Sequence, residues 1–390
     1  MQIKRVVHRG DLAAFACEGG RAMRTRLSRA RWVGLAAALL TGISGGVSCA
    51  ATATTQDPPK PQSLPNTSPQ AIEDYLKAAE KGDKGAYLLL GLLYQDGRGV
   101  PKDDAKAFQW FTKAAEAGIA PAMTNLGVMY MDGRGTPKDA VKGLMWLQTA
   151  AQVKHPEALF NLGVLHEKGN GVEKNMGRAV GFYQGAAELG HGGAMCNVAL
   201  LMETGNGVEK NEKAAIEWYR KSADKGVTQA MINLGTMYSD GRGVTSDDTQ
   251  AASWYRRAAE LDDPNAMALL GGLYSAGRGV PHDDATAVDL FRKAAERGVP
   301  DAMANLGVMY QAGRGVTQDY KTAMEWFRKA ADAGSADGMF YVAFMYARGM
   351  GVEADASMSD LWLQKAAAAG SEKAREFIEK ANTTKPDPPN

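Results

Sequence analysis

Apolar and polar positions recur along the chain with the period of an amphipathic helix. In one representative segment, apolar residues at positions 107, 110, 111, 114 and 115 follow Asp103 at the spacing that places them on one helix face. Asp103 precedes the first turn, where a short side chain with an acceptor oxygen can bind free backbone amides. Gly118 follows the last turn, where a left-handed cap favours glycine. The pattern predicts a helix between these two residues.

A second helical pattern follows directly and ends in a glycine turn. It runs from about Pro121 to Tyr130, and Gly127 lies inside it. A glycine inside a helix lowers its stability, which indicates a close contact with a paired helix. A Gly-x-Gly turn that begins at Gly133 then reverses the chain. Helix, short loop, helix and turn together predict an antiparallel helical hairpin.

This hairpin recurs with a fixed period of 36 residues. The Gly-x-Gly turns begin at Gly97, Gly133, Gly169, Gly205, Gly241, Gly277, Gly313 and Gly349. The residues predicted to cap the first helices are Asp103, Asp139, Asn175, Asn211, Asp247, Asp283, Asp319 and Asp355. Because one hairpin cannot bury its own apolar stripe, its neighbours must stack into a continuous core. The sequence predicts an all-α fold, an α/α superhelical solenoid of about eight to nine helical-hairpin repeats.

These motifs resemble the Sel-1-like repeats, which are relatives of the tetratricopeptide repeats. The resemblance rests on the Trp-Phe/Tyr-x-x-Ala-Ala-x-x-Gly first helix, the Ala-x-x-x-Leu-Gly-x-x-Tyr second helix and the Gly-x-Gly-Val turn, and it covers about Ala71 to Lys380. It implies a protein-binding scaffold, commonly in the bacterial envelope or among secreted factors. The family has no shared catalytic residue that would carry over to this chain.

The residues outside the repeats predict export. Residues 1–53 are interpreted as an N-terminal extension and signal peptide, because basic residues up to Arg31 precede an apolar run and then small residues. The true start could be Met23. A lipid anchor on Cys49 is an alternative, since the residues before it weakly resemble a lipoprotein cleavage box. Residues 54–70 form a Pro-rich linker, residues 71–381 the solenoid and residues 382–390 a disordered tail.

Charge argues against nucleic acid as a partner. The formal net charge is +1, but the first fifty residues hold eight basic and two acidic residues, so the remainder carries a formal charge of −5. Such a chain has no field that would attract a polyanion.

The apolar run of the leader is too short to span a bilayer, which favours a cleaved signal peptide over a membrane anchor. Once the signal peptide is removed, we expect no transmembrane segment.

Two patterns that suggest a metal site or a catalytic serine have simpler interpretations as repeat residues. His155 and His191 occupy one column of adjacent repeats, which should stand about 10 Å apart, too far for two ligands of one metal ion. Ser222 and Lys225 match the Ser-x-x-Lys of serine β-lactamases, but Ser222 replaces an alanine of the repeat and no Ser-Asp-Asn or Lys-Thr-Gly follows. We therefore predict no catalytic residue, no metal site and no cofactor.

A charged pattern on the first helices is the candidate binding site. Basic residues align across consecutive first helices, next to an acidic column at Asp224, Glu260, Glu296 and Asp332. The basic residues are Arg220, Lys221, Arg256, Arg257, Arg292, Lys293, Arg328 and Lys329, with Lys365 in the same column. They could form a track for an extended protein or peptide, or a solvated helix face with local ion pairs.

The sequence thus predicts an exported, non-catalytic scaffold, in the periplasm or secreted, that binds a protein or peptide through its helical repeats. One alternative is a hydrolase or receptor for β-lactam-like or cell-wall ligands. Another is a secreted effector that binds host proteins.

Overall fold

The computed structural model describes residues 67–383, and every regular element in that range is an α-helix. First and second helices of the hairpins alternate along the chain. The first helices are α1 (Pro69–Glu80), α3 (Asp104–Glu116), α5 (Ala140–Gln152), α7 (Met176–Glu188), α9 (Glu212–Asp224), α11 (Asp248–Glu260), α13 (Asp284–Glu296), α15 (Tyr320–Asp332) and α17 (Ala356–Ala368). The second helices are α2 (Lys84–Asp96), α4 (Ala120–Asp132), α6 (Pro156–Lys168), α8 (Gly192–Thr204), α10 (Thr228–Asp240), α12 (Pro264–Ala276), α14 (Pro300–Ala312), α16 (Ala336–Arg348) and α18 (Glu372–Thr383).

The predicted caps start the first helices as expected. At each of the eight predicted positions the residue before the helix is extended or nearly so, and its side-chain oxygen accepts a backbone N–H of the first turn. In α7, for example, Asn175 Oδ1 accepts the N–H of Arg178 at 2.9 Å. The cap residue also closes the preceding loop, because the N–H of Asp283 donates to the carbonyl oxygen of Tyr274 at 3.1 Å. The residue at the cap position therefore closes the loop through its backbone N–H and starts the helix through its side chain.

The Gly-x-Gly turn requires glycine at both positions for different reasons. Gly313 ends α14 in a left-handed conformation with φ of 65°. Gly315 also has a positive φ, and a Cβ there would lie 2.3 Å from the carbonyl oxygen of Asp284. The turn thus packs directly on the first turn of the preceding first helix, α13. Only a residue without a side chain fits there.

In the turns at residues 277–279 and 313–315, the arginine between the two glycines ties successive hairpins together. Arg314 donates to both carboxylate oxygens of Asp284, at 2.6 and 3.1 Å, and to the backbone and side-chain oxygens of Ser275. Arg278 makes the equivalent bonds to Asp248 and Ser239. These are bidentate, charge-assisted contacts, which hold geometry more tightly than a single surface ion pair.

The core repeats one contact between each second helix and the next first helix. The ring of Phe327 in α15 lies against Gly307 in α14, where a Cβ would be 2.6 Å from the ring. Tyr183 in α7 lies in the same way against Gly163 in α6. Both rings are fully buried. The close contact inferred from the glycine column is therefore made with the ring of the following first helix.

The described residues divide into two compact units. The N-terminal unit comprises residues 67–237 with Arg242–Val244, and the C-terminal unit comprises Tyr238–Gly241 with residues 245–383. Within each unit, consecutive helices pack as pairs. This is the architecture of an α/α solenoid, so the predicted fold class is confirmed.

Candidate partner-binding surface

The first helices separate the predicted track into two rows. Neighbouring residues on a helix point about 100° apart, so the two members of each basic pair face different directions. In the C-terminal unit we call Arg256, Arg292 and Arg328 the arginine row. We call Arg257, Lys293, Lys329 and Lys365 the outer row. The two rows have different surroundings.

The outer row lies on aromatic rings three residues earlier in the same helix. Arg257 stacks over the ring of Trp254 at 4.4 Å, and Lys329 stacks over Trp326 at 4.1 Å. Lys365 makes the same contact with Trp362 at 4.3 Å. Lys293 is different, because Leu290 replaces the tryptophan and Lys293 pairs with Asp289 at 2.8 Å instead. These cations stabilise and cover their own helices.

The arginine row lies beside tyrosines of the second helices, 18 residues later in the chain. Arg256 Nη2 donates to the Tyr274 hydroxyl at 3.4 Å. Arg328 Nη2 donates to the Tyr346 hydroxyl at 2.5 Å, with its guanidinium 5.8 Å from that ring. Arg256 and Arg328 are exposed, and the tyrosines are half-buried. Each pair therefore retains guanidinium N–H and phenolic O–H donors that no other described residue accepts.

Arg292 completes the row without such a bond. Tyr310 stands 18 residues after it, in the same column as the other two tyrosines. Within residues 67–383, however, the side chain of Arg292 has neither a hydrogen bond nor an ion pair. The residue as a whole is half-buried.

Local ion pairs do not neutralise the arginine row. Carboxylates occupy the positions one turn later, at Glu260, Glu296 and Asp332. Among the described residues of the C-terminal unit, none of the three forms an ion pair with an arginine of the row. Local ion pairing therefore accounts for Lys293 but not for the three arginines of the row.

The basic pair of the N-terminal unit is arranged differently. Arg220 pairs with Glu217, three residues earlier, at 3.1 Å. Lys221 stacks over Trp218 at 4.4 Å, like the outer row. Arg220 therefore has a local carboxylate partner that the arginine row lacks.

The two column histidines hold hydrogen bonds within the N-terminal unit. His155 Nδ1 lies 3.0 Å from the Thr124 hydroxyl, and burial lowers the pKa of His155. His191 Nδ1 accepts the N–H of Ala194, and its Nε2 lies 2.8 Å from a Glu157 oxygen. No group of three or more metal-binding side chains lies together in the described part of the chain. The histidines act here as capping and bridging groups.

Ser222 is placed where it cannot meet a substrate. Its side chain is fully buried, and its hydroxyl donates to the carbonyl oxygen of Gly192 at 2.8 Å. A nucleophile needs an exposed hydroxyl next to a base. The Ser-x-x-Lys spacing is therefore a structural feature of α9.

The signal peptide, Met23, Cys49, most of the linker and the end of the tail lie outside the described residues. Inside them, no helix is both long enough and apolar enough to cross a bilayer.

The pairing of arginines with tyrosines was missed from the sequence alone, although its signal is present. The spacing of 18 residues is constant in all three repeats, and so is the spacing of three between each stacked tryptophan and its cation. The period shows which residues share a column. It does not show which columns touch.

Comparisons with known proteins agree with the repeat. The Sel1 repeat matches eight segments, at residues 85–119, 120–155, 156–191, 193–227, 228–263, 264–299, 300–335 and 336–371. A comparison with curated protein sequences gave no match.

Two solved structures are similar over most of the chain. One is c5321, a protective antigen of uropathogenic Escherichia coli strains with an SLR fold, at 35% identity and a TM-score of 0.67, over 79% of this chain and 66% of that one. This chain thus spans slightly less than two thirds of c5321. The other is a Sel1 repeat protein from Oxalobacter formigenes, at 27% identity and a TM-score of 0.58, over 85% of this chain and 99% of that one. The chain belongs to the Sel1 repeat family.

Proposed function

We propose that this protein is an exported, non-catalytic scaffold that works in the bacterial periplasm and binds a protein partner through the first helices of its C-terminal unit. The observation that carries the proposal is the arginine row, Arg256, Arg292 and Arg328. Among the described residues, it is a repeated set of cations without carboxylate partners, on helices whose opposite face is buried in the core. Sel1 repeats form a protein-interaction fold, which supports the same conclusion.

Export is part of the proposal and rests on the leader. Basic residues, an apolar run and small residues follow one another in the order of a signal peptide within residues 1–53. Fractionation tests it directly. Recovery of the processed protein from the periplasm supports the proposal, whereas recovery from the culture medium favours the secreted effector and recovery of the unprocessed chain from the cytoplasm contradicts export.

The position of Ser222, the candidate nucleophile of the enzymatic alternative, supports a non-catalytic protein. Ser222 is buried and bonded to a backbone carbonyl, and no second candidate for acyl transfer was identified from the sequence. Turnover of a chromogenic β-lactam that disappears in Ser222→Ala would overturn the non-catalytic assignment. Absence of turnover in the intact protein supports it.

Photo-crosslinking tests the binding surface. A photoreactive amino acid is placed at Ser253, Asp289 or Glu325, which are exposed on the first helices, and the intact protein is irradiated in its own envelope. Control positions are Asn265 and Asp301, which are exposed on second helices. We expect one defined protein adduct from the first-helix positions and none from the controls. Equal labelling at both sets would refute the assigned surface.

A further inference from the structure

The arginine row and its tyrosines provide hydrogen-bond donors in a fixed arrangement. In the two bonded pairs, the guanidinium of Arg256 or Arg328 donates to the phenolic oxygen of Tyr274 or Tyr346. The phenol therefore serves as an acceptor within the pair, and its own O–H remains available to a third group. A guanidinium has five N–H donors, of which one is used here. Each pair can thus offer N–H and O–H donors to one ligand.

These donors suit a carboxylate. Guanidinium and carboxylate groups form parallel, charge-assisted hydrogen bonds, and a hydroxyl adds a further donor to a carboxylate oxygen. Arg292, beside the column of Tyr310, has no partner of its own among the described residues, so it can accept such a ligand without breaking a bond.

We propose that the arginine row binds an extended acidic segment of the partner, with one carboxylate at each arginine and its tyrosine. This inference rests on the proposed function and specifies the chemistry of the partner. A protein segment with three carboxylates is favoured over a nucleic acid, because its charge matches the three arginines of the row, whereas a continuous phosphate backbone would also be repelled by the formal charge of −5 that the chain beyond residue 50 carries.

The repeat also sets the spacing of the acidic residues. We take the packing distance of helices, about 8–10 Å, as the expected separation of successive arginines of the row, and the peptide comparison below tests it. A ligand chain in the polyproline II conformation advances about 3.1 Å per residue and has three residues per turn, so every third side chain points to the same side and about three residues cover one repeat. The expected motif is therefore Asp-x-x-Asp-x-x-Asp, or the same with glutamate.

The carboxylates beside the arginine row should lower its affinity for an acidic segment. Glu260, Glu296 and Asp332 lie one turn from the row and are not paired with it. They repel an acidic ligand and so limit where it can bind. Their replacement by glutamine should strengthen binding of the acidic segment, whereas replacement of the row arginines should weaken it.

Fluorescence anisotropy with the intact protein tests this inference. The probe is a labelled, blocked peptide Gly-Asp-Gly-Ser-Asp-Gly-Ser-Asp-Gly, and the comparison peptide has the same composition with its three aspartates adjacent. We expect the spaced peptide to bind more tightly. We also expect each of Arg256→Gln, Arg292→Gln and Arg328→Gln to weaken binding about tenfold, the loss that one charge-assisted hydrogen bond implies. The matched controls are Arg257→Gln and Lys329→Gln in the outer row, which should change binding less than twofold.

Several outcomes would overturn the inference. These are equal affinity for the two peptides, equal losses from the two rows, or displacement of the peptide by single-stranded DNA at lower concentration than by unlabelled peptide. The crosslinking experiment distinguishes a failure of the proposed scaffold surface from a failure of the proposed acidic partner. Adducts at Ser253, Asp289 and Glu325 that persist in the triple arginine variant would retain the scaffold function and refute only the acidic partner. Absence of adducts would refute the scaffold surface itself.

Discussion

Gly163 and Gly181 provide a paired test of how the hairpins are held together. Both are glycines inside helices of the N-terminal unit, so replacement by alanine should raise helix propensity about equally, by about 1 kcal/mol. Their surroundings differ. A Cβ at Gly163 would lie 2.6 Å from two ring atoms of Tyr183, whereas a Cβ at Gly181 meets nothing within 4 Å.

The difference in stability between the two variants depends on how firmly the ring of Tyr183 is held. Carbon atoms pack at about 3.5–4.0 Å, so the ring or the helix must move by about 1 Å to accept the new methyl group. Tyr183 is fully buried, its hydroxyl donates to Glu167, and its ring lies 5.7 Å from that of Phe160. Overpacking of this kind costs about 1–3 kcal/mol. Gly181→Ala should therefore stabilise the protein by about 1 kcal/mol, and Gly163→Ala should be less stable than Gly181→Ala by about 1–3 kcal/mol.

Urea unfolding followed by circular dichroism measures both variants against the parent protein. The slope of the free energy of unfolding against urea must be compared as well, because a repeat protein can lose cooperativity when one interface weakens. Equal stabilisation by the two substitutions would refute the argument. It would mean that the ring of Tyr183 can move at no cost and that the glycine column does not set the distance between helices.

Three further predictions concern local features. Lys154 follows α5 with φ of 59°, and it occupies the column in which Gly118 follows α3 with φ of 89°. Because a positive φ favours glycine, Lys154→Gly should stabilise the protein by about 0.5–1 kcal/mol in urea unfolding. Gly118→Lys should destabilise it. Asn175→Ala removes the acceptor for the N–H of Arg178 and should cost about 1 kcal/mol by the same measurement, while Asn175→Asp should cost little. Burial lowers the pKa of His155 below 6.5, so the unfolded chain binds more protons and stability falls as the pH drops from 7 towards 5. His155→Gln should therefore flatten the dependence of the urea midpoint on pH in that range, and an unchanged dependence would refute this assignment.

The regular features of the fold follow from the sequence because each has a local cause. A cap residue such as Asp283 acts within one turn, and a glycine such as Gly313 acts through its own φ angle. Such features repeat in the sequence wherever they repeat in space. Lys154 and Asp262 are the exceptions at the ends of first helices, since both adopt a left-handed conformation without being glycine. There the hairpin imposes the backbone conformation, and residue type does not reveal it.

The candidate surface was predicted less completely, because it depends on contacts between columns. Arg256 and Arg257 are adjacent in sequence, yet one contacts Tyr274 and the other lies over Trp254. The period places the residues correctly but does not distinguish these surroundings. Ser222 shows the same limit, because its spacing to Lys225 matches an active-site motif while its hydroxyl is bonded to the backbone of Gly192.

The column that contains the arginine row limits the length of the acidic segment that the protein can recognise. In the C-terminal unit the arginine row ends at Arg328, because the next position of that column is Gln364. Before Arg256 the column holds Arg220, whose guanidinium is already paired with Glu217. Three arginines therefore remain for an acidic ligand. At about three residues per repeat, they match a segment of about seven residues with three carboxylates. A longer acidic peptide should gain little affinity over this heptapeptide, whereas a peptide shortened to two carboxylates should bind about tenfold more weakly.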